Sequence, residues 1–188
     1  MLPHGRIVAR HVALTGLVLL VACGDTTNLP AAYFTNVVDT VSLFALRGTD
    51  VRLPSAYTLD SKRAVRVDQT TALDFAFDFD SVGEPALFPT GAIKLGAFSG
   101  LQRSALAFGA ITLAPTDGYI FDKPIALDTG TVVLVRSRPI QCTYGTTVSF
   151  YAKLRVLAVD TAAHRLDFET LVDQNCGYRS LEPGLPKQ

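Results

Sequence analysis

Tryptophan is absent from this 188-residue chain, methionine occurs only as the initiator, and there are three histidines and three cysteines. His4 and His11 fall in the first dozen residues, so only His164 lies in the body of the sequence. Serine–histidine–acid catalysis, histidine-rich metal sites and bis-histidine haem ligation are therefore hard to build. Charge of one sign is lacking too. The 17 basic residues meet 17 acidic ones with no basic stripe, which argues against nucleic acid as a partner. No apolar run reaches the roughly 20 residues that a helix needs to cross a bilayer. Nor is there a glycine-rich phosphate loop, a nucleophile elbow, a sustained helical period or a repeat.

What is present begins with Arg6 and Arg10 ahead of a short apolar run, Val12 to Val21, ending in Leu20-Val21-Ala22-Cys23. A basic start, roughly ten apolar residues and a small residue at the end make a cleaved secretory signal peptide. The cysteine directly after Leu-Val-Ala resembles the lipobox of bacterial lipoproteins. That resemblance implies cleavage after Ala22, acylation of the Cys23 thiol and of the new amine, and membrane attachment through the acyl chains. Two or more chains anchor stably where one does not. In some bacteria an aspartate directly after the anchor cysteine retains the protein at the inner membrane. Here that place is Gly24, with Asp25 one residue later, so the resemblance favours the outer membrane. Loss of residues 1–22 takes Arg6 and Arg10 with it, leaving 15 basic against 17 acidic residues in a chain of 166. That length suffices for one domain with a real core.

Export places Cys142 and Cys176 in an oxidising compartment, and with Cys23 taken by lipid they form a natural disulfide pair. Two sulfurs without nearby histidines supply only half of a tetrahedral zinc shell. Tyr144 and Tyr178 flank these cysteines. Their phenols either line a ligand patch or pack over the sulfurs.

The organisation reads as β throughout. A small, polar tether from 23 to 32 leads into a β domain, 33–181, followed by a frayed tail, 182–188. Strand-like runs cover Thr40–Leu46, Ala56–Leu59 and Ala64–Asp68, the last two flanking a polar turn. The stretch 81–109 is rich in glycine and proline; short strands are expected near Ala92–Leu95 and Ala105–Leu113, with long loops. Asp117-Gly118 signals a hairpin turn between Ile111–Leu113 and Tyr119–Phe121. The β-branched run Thr131–Arg136 suits a buried central strand. Val148–Val159 and Arg165–Asp173 flank a short loop, which predicts a hairpin pairing Val159 with Arg165, Arg155 with Glu169 and Val156 with Phe168. Phe150, Ala152, Leu154, Val156, Phe168 and Val172 then face inward. The economical fold is all-β, an antiparallel sandwich or flattened barrel.

Leu73 to Asp80 is the clearest alternation in the chain. Leu73, Phe75, Phe77 and Phe79 face one way, while Asp74, Ala76, Asp78 and Asp80 face the other. The phenylalanines suit a core and the aspartates a solvated face. Asp78 and Asp80, about 7 Å apart on that face, are also the candidates for a hard cation or an acid/base pair. The run Asp78 to Glu84 echoes a calcium loop with acids at positions one and three and glycine at six. It fails at Val82 and Pro89. His164, in the expected hairpin loop beside Asp160, is the lone candidate for proton transfer or ligation.

Leu73-Asp74-Phe75-Ala76-Phe77 is similar to a Trp-Asp-apolar-Ala-Phe strand of the HmuY-type haem-capturing lipoproteins, with leucine in place of tryptophan. Phe150 to Val156 is similar to that family's late Tyr-Ala-Lys strand, and Leu166-Asp167-Phe168-Glu169 to the strand after it. The resemblance covers Leu73 to Gln174 and implies an all-β domain and haem or small apolar ligand capture. The histidine pair that would hold haem iron has no counterpart, so haem would need tyrosine ligation or burial without a protein axial ligand.

These readings converge on an envelope-anchored lipoprotein whose non-catalytic β domain binds a ligand or an envelope protein. No cofactor is expected, with haem and calcium as the alternatives to test. Capture of haem or a small apolar ligand is the second reading, and a hydrolase using Asp78 and Asp80 the third.

Overall fold

The computed structural model describes residues 29–142 and 145–187. In chain order the strands are β1 (Val38–Phe44), β2 (Ala56–Thr58), β3 (Arg63–Val65), β4 (Phe75–Phe79), β5 (Pro85–Pro89) and β6 (Gly100–Ser104). After a 3-10 turn at Phe108–Ala110 come β7 (Ile125–Ala126), β8 (Val132–Arg136), β9 (Ile140–Gln141) and β10 (Thr147–Val148). The long hairpin β11 (Tyr151–Asp160) and β12 (Arg165–Asp173) completes the set. One sheet runs β1-β12-β11-β8-β6 and the other β3-β2-β4-β5-β7, with β9 and β10 as a separate two-stranded ribbon. Every pairing is antiparallel. The two five-stranded sheets face each other as a sandwich, and no barrel closes.

The interior is continuous across both sheets. Tyr57, Phe75, Phe77 and Leu87 from one meet Leu43, Val133, Val135, Leu154, Val156 and Phe168 from the other. All six inward residues expected of the last hairpin belong to this core. The run 132–136 is buried on both faces, as its unbroken β-branched pattern requires. Val133 and Val135 point into the sandwich, while Val132 and Leu134 lie under the segment carrying Ile111, Ala114 and Tyr119. Lys153, on the same outer face, donates from Nζ to the carbonyls of Phe108 and Ile111 at 2.8 Å each, fastening that segment down. Burial pushes its ammonium below the ordinary lysine range.

Several expectations need correction. Residues 92–95 form turns, and 105–113 hold the 3-10 turn; the strands of that region are β5 and β6. Pro85 and Pro89 sit at the two ends of β5, where a missing ladder donor costs least, so the prolines bracket a strand instead of excluding one. Gly118 takes a left-handed φ of 81°, as a turn demands, yet its flanks do not pair with each other. Leu113 bridges Ser180 and Ile120 bridges Leu101. The aspartate row is not solvated: Asp74 and Ala76 are fully buried and Asp78 nearly so. Leu73, expected on the inner face, packs instead with Ala76 in an outer cluster that Ile93, Leu95 and Leu46 cover. Finally, the tail holds on through Gly184, which exchanges two backbone hydrogen bonds with Asn36 (2.8 and 2.9 Å) beside a buried Leu181.

The β11–β12 register agrees with expectation from Tyr151 to Val156, with Arg155 opposite Glu169 and an ion pair of 2.8 Å between them. A bulge at Leu157 then shifts the pairing by one, so Val159 opposes Leu166 and Asp160 opposes Arg165. The loop tightens to Thr161–His164, where Asp160 Oδ1 accepts the Ala163 N–H and His164 adopts a φ of 50°.

Tyr57 is buried in the sandwich, stacked on Phe75 (5.6 Å) and edge-on to Phe168 (5.9 Å). Its hydroxyl has no hydrogen-bond partner among the described residues. An unsatisfied buried hydroxyl costs about 1–3 kcal/mol. Tyr57→Phe is accordingly expected to raise stability by about 1 kcal/mol in urea titration. A loss instead would mean that the hydroxyl is bonded.

Candidate functional site

Three connections meet at one end of the sandwich: the chain leaving β1, the β4–β5 turn and the β11–β12 turn. They form an open cleft of about 510 Å³ lined by Arg47, Gly48, Asp78, Phe79, Asp80, Gly83, Thr161 and His164. The sequence-derived candidates Asp78, Asp80 and His164 thus come together. Each already has a task, however. Asp78, buried at the end of β4, accepts from Arg47 Nε at 2.6 Å, and Arg47 also donates to the Phe79 carbonyl. Asp80 Oδ1 accepts the N–H groups of Val82 (2.8 Å) and Glu84 (3.0 Å) and so closes the turn that resembled a calcium loop. Among the described residues no three acidic, histidine or cysteine side chains group as metal ligands. His164 packs its ring 5.1 Å from that of Phe79, with Nδ1 3.4 Å from the Arg47 carbonyl. Because a carbonyl only accepts, Nδ1 is the donor in that contact. Arg47 remains mostly exposed, so the cleft offers a guanidinium, an imidazole and one aromatic wall to a guest on the surface.

The opposite end of β1 and β12 is organised by the disulfide. Cys142 and Cys176 are bonded, linking the β9–β10 ribbon to the chain just after β12. Gly145, with a φ of 76°, lies in the fold-back between the ribbon's strands. Tyr178 is buried and donates its hydroxyl to the Pro30 carbonyl at 2.8 Å, so it packs and does not line a ligand patch. Tyr144 lies outside the described residues, as does Cys23. Since Pro30 is held, and Leu29 lies where a Cβ on Gly177 would come within 2.5 Å of its Cδ2, the expected tether of 23–32 ends earlier, before Leu29.

One feature of this end escaped sequence reasoning. Asn175 Oδ1 accepts both the Tyr33 N–H (2.7 Å) and the Phe34 N–H (2.8 Å), while its Nδ2 donates to the Phe34 carbonyl and to Asp173 Oδ1, each at 2.8 Å. Asp173 is fully buried, and burial pushes its carboxyl above the ordinary range. This clasp presents Tyr33 (85% exposed) and Phe34 (49% exposed) edge to face at 5.4 Å. Asn36 points inward, donating to the Ser180 and Glu182 carbonyls. Strand alternation then turns Val37 outward, and the antiparallel bridge of Asn36 to Gly184 brings the exposed Leu185 alongside the same segment, across from Thr35. Two adjacent aromatics in a polar stretch were the available signal, but they read as the start of a domain.

Two buried carboxyls, Asp74 and Asp173, are pushed upward by burial, yet neither lines one of the clefts. They belong to different sheets, Asp74 held by Leu59 and Arg138 and Asp173 held through Oδ1 by Asn175 while its Oδ2 has no partner among the described residues, and they do not converge as an acid/base pair would. Compared with known proteins, the chain matches no protein-family model, and no curated protein is significantly similar to it.

Proposed function

We propose that this chain is a bacterial envelope lipoprotein, acylated at Cys23 after removal of residues 1–22 and sorted to the outer membrane, whose sandwich binds a partner at its surface without catalysing a reaction. The lipobox-like Leu20-Val21-Ala22-Cys23 supports the anchor. The observation that carries the binding mode is the filled interior. Tyr57, Phe75, Phe77 and Phe168, the rings that would line a captured apolar ligand, are each at most 1% exposed; Tyr57, Phe75 and Phe168 pack on one another and Phe77 on Phe79. Recognition then falls to the rim, where Arg47 and His164 face solvent across the cleft. Surface recognition by a preformed site suits a chain whose buried or cleft-side carboxylates, Asp74, Asp78, Asp80 and Asp173, are engaged in holding turns and strands together.

Two measurements test the reading. Cys23→Ser, expressed in a bacterium, is expected to lose the acyl mass and move from the detergent-extracted membrane fraction to the soluble envelope fraction; retention in the membrane would overturn the anchor. Titration of the purified protein with haem and with calcium is expected to give neither a Soret change nor a rise in melting temperature. A Soret band would replace surface binding with haem capture.

A further inference from the structure

We infer that the face bearing Tyr33, Phe34, Val37 and Leu185 seats on the headgroup layer of the bilayer that holds the lipid, fixing the domain upright. This rests on acylation of Cys23 as proposed above. The argument is one of reach. Leu29 and Pro30 are already fastened to the domain by Gly177 and Tyr178. Only the six steps from Cys23 to Leu29 separate the acyl chains from the folded body, at most about 20 Å when fully extended. The headgroup zone takes up roughly the first 5–8 Å of that span. Whatever lies beside Leu29 is therefore held against the membrane, and what lies there is the chain's exposed aromatic pair.

The chemistry fits the occupant. Exposed apolar side chains gathered from two distant parts of the sequence mark an interaction surface, not scattered surface residues. Tyrosine and phenylalanine suit the boundary between headgroups and acyl chains, where a ring is buried and a hydroxyl stays wet. The pair is also pre-organised: three hydrogen bonds to Asn175 fix its backbone before any contact is made, and a fourth ties Asn175 to Asp173. Seating this face points β12 away from the membrane. Its nine residues place the Arg47–His164 cleft about 30 Å farther out, open to the aqueous side.

The absence of tryptophan makes the test clean, because each Trp variant has a single emitter. Acylated protein carrying Tyr33→Trp, Leu185→Trp or Val82→Trp is purified in detergent and reconstituted into phosphatidylcholine vesicles with brominated acyl chains. Val82, 79% exposed on the β4–β5 turn, reports the far end. Tyr33→Trp and Leu185→Trp are expected to shift to shorter emission wavelength and lose most of their intensity, while Val82→Trp keeps its own. If the vesicles float with protein but the first two reporters are unquenched, or all three are quenched alike, the seat is overturned and the anchor stands. If the protein carries no acyl mass and does not float, the anchor fails and the seat with it.

Discussion

Replacing Asp74 with alanine is expected to cost about 3–5 kcal/mol, a large share of the 5–15 kcal/mol typical of a domain. The carboxylate is fully buried and joins the two sheets. Its Oδ2 accepts from the Leu59 N–H (2.7 Å) at the end of β2, and its Oδ1 from the Arg138 N–H (2.8 Å) on the turn leaving β8. The Arg138 guanidinium lies 3.2 Å from Oδ2 and reaches on to Thr58 and Asp60. Removing the anion leaves that cation and two N–H groups without their acceptor. Arg138→Met is expected to be nearly as damaging, and the double variant Asp74→Leu/Arg138→Met less so than the sum, because each single change strands a partner that the double removes. Urea unfolding of the three variants measures this coupling.

The same site sets a pH dependence. Burial outweighs the lowering pull of Leu59 and Arg138, so the folded-state pKa of Asp74 lies above its unfolded value of 3.8. A group raised in this way contributes most below the unfolded pKa, and the contribution is lost as pH rises through the folded one. Asp173 acts in the same direction. The stability of the native protein relative to Asp173→Asn should therefore fall as pH rises from the unfolded value of 3.8 through the raised folded one. A difference that stays flat would show that Asp173 keeps an ordinary pKa.

Loss of the disulfide, by Cys142→Ala/Cys176→Ala or by reduction, is expected to cost about 3–4 kcal/mol. This follows from the closed loop implied by a separation of 34 residues. In a domain of this size that corresponds to a drop in melting temperature of roughly 10 °C. The effect has a local readout as well. Cys176 adjoins Asn175, so amide exchange at Tyr33 and Phe34 should quicken before the core does. A melting temperature indifferent to reduction would mean that the β9–β10 ribbon is held without its bond.

Local alternation and cross-strand chemistry made part of this architecture legible. Arg155 opposite Glu169 fixed the hairpin register because only that pairing also put Phe168 and Val156 inside. The disulfide followed from counting, once Cys23 was set aside for lipid. The aspartate row shows where such reasoning stops. Period two separated Ala76 and Asp78 from Phe75 and Phe77 along the strand, but it failed just before it, where Leu73 packs with Ala76, and nothing in that strand announces that Ile93 and Leu95 return to cover the outer face. The bulge at Leu157 carries no turn residue and was equally silent. At the cleft, Asp78 and His164 were visible as residue types. Arg47, the group that joins them, was not, because it sits 31 positions from Asp78 and 117 from His164.

The placement of β1 has a kinetic consequence. Its strand partner is β12 alone, and even its nearest pair, Phe44 with Arg165, spans 121 positions. A nascent chain thus carries its first strand unpaired until almost the whole sequence has been made, and closing so long a loop is slow. Cys176 follows β12, so the covalent lock is available only after the last strand has emerged.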